Sequence, residues 1–78
     1  MTHDEIVTLL QVVTRYDGRD IDESSIMVWT ETARRRQWTF DAAIDAVHEH
    51  YADQTRWIMP GHVTQIIRRK RNQNWQED

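Results

Sequence analysis

The chain has 78 residues, 10 Lys and Arg against 13 Asp and Glu, a formal net charge of −3 and no cysteine. This length supports one domain burying only about 60% of the surface its unfolded chain exposes, so a deep active-site cleft is not expected. The absence of cysteine excludes disulfides and thiolate metal centres, and the acidic balance argues against a protein that coats nucleic acid. The start, MTHDEIV, carries acids where a secretory signal needs cations, and no apolar run approaches the roughly 18 to 20 residues that span a bilayer. A soluble cytoplasmic protein without membrane contact is the expectation.

Thr2-His3-Asp4-Glu5 has capping-box spacing, and Ile6, Leu9, Leu10 and Val13 follow at helical intervals. A first helix is therefore expected from about residue 3 to 16, with Gly18 closing it in the left-handed conformation. A second helix starts at Asp22, flanked by Ile21 and Ile26 as a hydrophobic staple, with Ile26, Trp29 and Ala33 facing inward. Gln37-Trp38 interrupts the pattern. Thr39 then caps a third helix with Phe40, Ala43, Ile44, Val47 and Tyr51 on one side, and the short connection makes the second and third helices expected neighbours. Residues 54–59, QTRWIM, form a loop whose Trp57 and Ile58 need apolar cover. Pro60 suits the first turn of a fourth helix, which turns Val63, Ile66 and Ile67 inward. The pattern predicts an all-α fold, a small four-helix bundle in a single domain over residues 1–72, followed by a polar tail over residues 73–78.

Nothing in this layout suggests catalysis. Ser24 and Ser25 sit where a helix start favours hydroxyls, and no serine, histidine and acid combine into a nucleophile signature. His48 and His50 are two residues apart and point to different faces, whereas a shared metal needs a spacing of three or four. No catalytic residue, metal or cofactor is expected. Trp29, Trp38 and Trp57 read as anchors of an undersized core. Trp75 lies two turns beyond the apolar stripe of the fourth helix and is a candidate partner contact.

Charge distribution carries more information than net charge. Seven of the ten cations fall in two runs, Arg34-Arg35-Arg36 and Arg68-Arg69-Lys70-Arg71. Cations in a last helical turn suit the macrodipole by about 0.3 to 1 kcal/mol each. That is the first reading of Arg34, Arg35 and Arg36, with phosphate contact the second. Arg68, Arg69, Lys70 and Arg71 exceed what a dipole needs and are candidates for contact with phosphates or an acidic partner. Successive helical residues turn by about 100°, so such a run grips backbone and does not read bases.

The third helix carries Asp41, Asp45, Glu49 and Asp53 and no lysine or arginine, which excludes it from a major groove. Like charges spaced by four cost roughly 0.2 to 0.5 kcal/mol per pair, so something should compensate. Pairing with one of the arginine runs, solvation, or docking on a basic partner would each do so.

Taken in order, Tyr16-Asp17, Ile21-Asp22, Trp29, TFDAAIDAVHEHYA and MPGHV resemble the N-terminal helical domain of phage replicative-helicase loaders, the loader-and-inhibitor or replisome-organiser proteins. The resemblance spans about residues 5 to 70. It implies that Trp29, Ala43, Val47, Tyr51, Pro60 and Val63 are core and turn positions. It also implies a protein without chemistry of its own, whose partner is the replicative helicase or another replisome component. The expected function is thus a phage or prophage DNA-replication accessory, with Asp41, Asp45, Glu49, Asp53 and Trp75 as partner contacts. The basic runs would touch single-stranded DNA or an acidic surface. The alternatives are a small DNA-binding regulator that grips phosphates through its arginines, and an inhibitor of a host enzyme.

Overall fold

A computed structural model describes the backbone of residues 1–76 and the side chains of residues 1–72. Four helices follow one another, α1 (His3–Asp17), α2 (Glu23–Arg36), α3 (Phe40–Asp53) and α4 (Pro60–Gln76), so the chain is all-α, as its periodicity predicts. Among the described residues no helix is long and apolar enough to cross a membrane.

Local chemistry accounts for the helix ends. The Thr2 hydroxyl accepts from the Glu5 amide while the Glu5 carboxylate accepts from the Thr2 amide, completing the capping box on α1. Gly18 closes that helix at φ 72°, a conformation in which a side chain would be strained. Asp22 and Thr39 cap α2 and α3 by accepting from the amides of Ser25 and Ala42. The end of α2 is less conventional. Gln37 takes the left-handed conformation at φ 56°, the Trp38 amide reaches back to the Ala33 carbonyl, and the Gln37 amide reaches the Arg34 carbonyl. This is a Schellman closure in which a glutamine stands where glycine is favoured, and it drops Trp38 into the core beside Ala33.

That closure overturns one expectation. α1 packs on α2 and α3, and α4 packs on the same two, so α2 and α3 sit diagonally and do not pack along each other. The buried Trp38 redirects the chain across the bundle, and the brevity of the link says nothing about adjacency. The inward face of α3 also differs from the predicted stripe. Ala43, Ala46, Val47 and His50 are buried, whereas Phe40, Ile44 and Tyr51 are only partly covered. Lying between α1 and α4, this helix buries the arc where two alanines permit close approach. The remaining core comes from Ile6, Leu9, Leu10 and Val13 of α1, Trp29 and Ala33 of α2, Trp38, Ile58, and Val63 and Ile66 of α4.

α4 takes in residues 73–76, which the sequence reading sets apart as a polar tail, so the basic run of residues 68–71 does not close a helix. No cation occupies the last turn of α4. The dipole explanation holds for Arg34, Arg35 and Arg36 at the end of α2 and does not extend to the second run.

Ile58 is fully buried in a loop, so its own backbone polar groups need partners that no helix supplies. A network of three side chains provides both. The Tyr51 hydroxyl accepts from the Ile58 amide and donates to the Asp17 carboxylate. The Asp17 carboxylate also accepts from the amide, Nε and Nη2 of Arg19, and Arg19 Nη2 donates at 2.8 Å to the Ile58 carbonyl. The ion pair is nearly out of water, with side chains only 2% exposed for Asp17 and 10% for Arg19. Burial pushes the Asp17 carboxyl up, but the hydrogen bonds from Arg19 and Tyr51 outweigh it and hold the group below the ordinary aspartate range.

Two stability measurements follow. Asp17→Asn leaves a buried guanidinium without its counter-charge and should lower unfolding free energy in urea by about 3 kcal/mol, against about 1 kcal/mol for Tyr51→Phe; equal effects would show that the charge is immaterial. Gln37→Gly relieves a left-handed side chain and should raise the thermal midpoint by a few degrees, corresponding to about 0.5 to 1 kcal/mol.

Candidate functional site

The second basic run divides over three sides of α4. Lys70 turns toward α3, where its ammonium donates to Asp45 and, at 3.4 Å, to Glu49. Hydrogen bonding to Asp45 and then Glu49 raises the affinity of Lys70 for its proton against a smaller opposing effect of desolvation. The row on α3 is therefore offset from within the chain at its two central members, by the lysine and not by an arginine. Asp41 and Asp53 form no ion pair among the described residues. Trp75, the remaining predicted partner contact, has a side chain outside the described residues.

Arg69 lies on a second side, with His50, Asp53, Arg56 and His62 around a shallow depression. The third side is the most basic. Arg68 and Arg71, three residues apart and hence on one helical face, meet Arg35 and Arg36 from the end of α2 around a depression of about 220 Å³. Its floor is Trp38, Thr64 and Ile67, and the Trp38 indole donates at 3.0 Å to the Thr64 hydroxyl, tying α4 to the turn after α2. Among the described residues no carboxylate lines this depression. Back along α2, Glu31 accepts from Arg34 Nη2 and from Arg35 Nε, three and four residues along the helix. The hydrogen bonds from Arg34 and then Arg35 hold the Glu31 carboxyl down to about 2. The two cationic runs, 32 positions apart in sequence by the difference between Arg36 and Arg68, are thus brought to one place by the α2·α4 contact.

An apolar surface lies elsewhere, and sequence reasoning missed it. Trp29 and Trp38 are core anchors as predicted, but Trp57 is 54% exposed. Its ring is not loose: the Arg19 guanidinium sits 4.9 Å from its centroid, and Asp17 holds that arginine in turn. Val28 and Met59, both more than half exposed, line the same depression, bordered by Asp20 and Asp22. The sequence carried one usable signal, Val28 next to buried Trp29, which must face away from it on a helix.

The histidines separate as their spacing predicts. His48 pairs with the Tyr16 hydroxyl at 2.6 Å, whereas His50 points the other way and donates through Nε2 to the Arg56 carbonyl at 2.7 Å. His62 stacks on His50, with ring centroids 5.2 Å apart, and accepts through Nδ1 from the Met59 amide at 2.9 Å. Met59 is the residue before α4, so His62 occupies the position that glutamate or glutamine takes in a capping box. Among the described residues, no group of three or more His, Asp or Glu is placed to hold a metal ion.

Comparison with protein-family models, curated proteins and solved structures finds no match to this chain. Function therefore has to be argued from these surfaces.

The histidine cap predicts a pH dependence. Desolvation, followed by the proximity of His50 and Arg56, lowers the affinity of His62 for a proton below that of a free histidine, and the cap needs Nδ1 unprotonated. Its contribution is complete above the unfolded value of about 6.5 and is lost as pH falls through the lower folded value. His62→Gln keeps the cap without titrating. Its thermal midpoint should match the parent at neutral pH and fall less between pH 7 and pH 5; parallel falls would rule the histidine out as the source.

Proposed function

We propose that this chain is a non-catalytic accessory domain of DNA replication that docks on a partner protein, and that the partner is the replicative helicase. Trp57 carries the docking half of this reading. A half-exposed tryptophan held against the largely covered Arg19 guanidinium, with Val28 and Met59 beside it, has the character of an interface anchor: large, apolar and already ordered before binding. Asp20 and Asp22 at the edge of this surface call for a partner patch with an apolar centre and a basic rim. The identity of the partner rests on the resemblance in residue order to the helicase loaders.

This reading moves the main contact away from the acidic row of α3. With Asp45 and Glu49 engaged by Lys70, that helix offers a partner less unbalanced charge than its sequence suggests, and Asp41 and Asp53 at its two ends act as secondary contacts.

Binding of purified replicative helicase to the labelled protein, followed by fluorescence anisotropy, tests the proposal. Trp57→Ala should weaken binding by about thirtyfold, the cost of truncating a hot-spot residue by roughly 2 kcal/mol, with an unchanged helical circular dichroism spectrum. Charge reversal at Asp45 should weaken it no more than about threefold. A parent protein that does not bind helicase removes the partner assignment, and a Trp57→Ala variant that binds as the parent does removes the docking surface.

A further inference from the structure

We infer that the depression between the end of α2 and the middle of α4 is a binding site for the phosphodiester backbone of nucleic acid, gripped by Arg36, Arg68 and Arg71 with Arg35 assisting. The four guanidinium groups arrive from two helices, and the Trp38–Thr64 hydrogen bond holds those helices in place beneath them. Like charges gathered around one depression repel one another, and among the described residues no carboxylate lines it. On α3 the same kind of crowding is answered inside the chain by Lys70. Among the described residues Arg36, Arg68 and Arg71 have no such answer, whereas Arg34 and Arg35 share Glu31. Arg35 uses only its Nε on that carboxylate, which leaves its terminal nitrogens to donate elsewhere.

The chemistry favours a phosphate chain. All four cations are arginines, whose planar fork meets two oxygens at once. A phosphodiester chain delivers one negative charge per link and can satisfy several of them in succession. At about 220 Å³ the depression is smaller than the roughly 300 to 1,000 Å³ of pockets that enclose a small organic ligand, so it suits a strand lying across it. The aromatic floor, Trp38, is only 4% exposed and offers no ring for a base to stack on. Binding is therefore through the backbone and indifferent to sequence. This site lies apart from the Trp57 surface and does not depend on the helicase reading.

The experiment measures anisotropy of a labelled oligothymidylate and of a mixed-sequence duplex over a range of sodium chloride concentrations. The parent protein should bind, with an affinity that falls by about 0.7 logarithmic units per neutralised phosphate on the single strand, or 0.9 on the duplex, for each tenfold rise in salt. The arm with the steeper slope and tighter binding identifies which form the site takes. Arg36→Gln, Arg68→Gln and Arg71→Gln together should weaken binding at least tenfold and flatten the single-strand slope by about two units. Lys70→Gln, which removes a cation already held by α3, should leave the slope unchanged. The single reversal Arg68→Glu, with its circular dichroism spectrum compared to the parent, guards against a folding defect in the triple variant and should weaken binding in the same direction. The site is overturned if the parent binds neither probe, if Lys70→Gln costs as much as the triple variant, or if polyglutamate of equal charge competes as well as DNA does.

Discussion

Ile58 needs cover on every side, and the Asp17–Arg19–Tyr51 network is what allows a loop residue to be buried with its backbone polar groups satisfied. Three elements meet there: the end of α1, the end of α3 and the approach to α4. An ion pair this far out of water is a weak source of net stability, because desolvating both charges cancels most of their attraction. Its value is geometric. Its hydrogen bonds tie the end of α1, the end of α3 and the loop to one another. It also holds Arg19 under Trp57, and a structural requirement of the core thereby becomes a rigid apolar feature on the surface.

α4 shows how one short charge run can serve three neighbours. Because each residue turns by about 100°, Arg68 and Arg71 face α2, Lys70 faces α3 and Arg69 faces the histidine pair. Lys70 has an internal role and the arginines beside it face outward. A reading that treats the four cations as one patch, or the four carboxylates of α3 as one docking face, assigns the same job to residues with different surroundings. The two central carboxylates of the acidic helix share the single Lys70 ammonium, so part of their charge is offset within the fold.

The two proposed surfaces sit on opposite ends of α2. Val28 and its neighbours near the start of that helix form the apolar face, and Arg35 and Arg36 at its end form half of the basic depression. The two proposals therefore place their ligands at separate parts of the domain. Neither surface requires a moving part: the first is pinned by Arg19 and the second by the Trp38–Thr64 hydrogen bond.

Helix number, helix starts and most of the core were legible in the sequence, since capping and amphipathic spacing are local properties. Thr2 with Glu5, Asp22, Thr39, Pro60 and the Ile6 to Val13 stripe each act within a turn or two of themselves. Adjacency was not legible. The diagonal placement of α2 and α3 follows from Trp38 packing beneath Thr64, a contact between residues 26 apart, and no short window contains it. For the same reason the exposure of Trp57, the pairing of Asp45 and Glu49 with Lys70, and the meeting of two arginine runs belong to the tertiary structure alone. Residue type determined which groups could bind a partner or a phosphate; the packing of α4 against α2 and α3 decided which of them are free to do so.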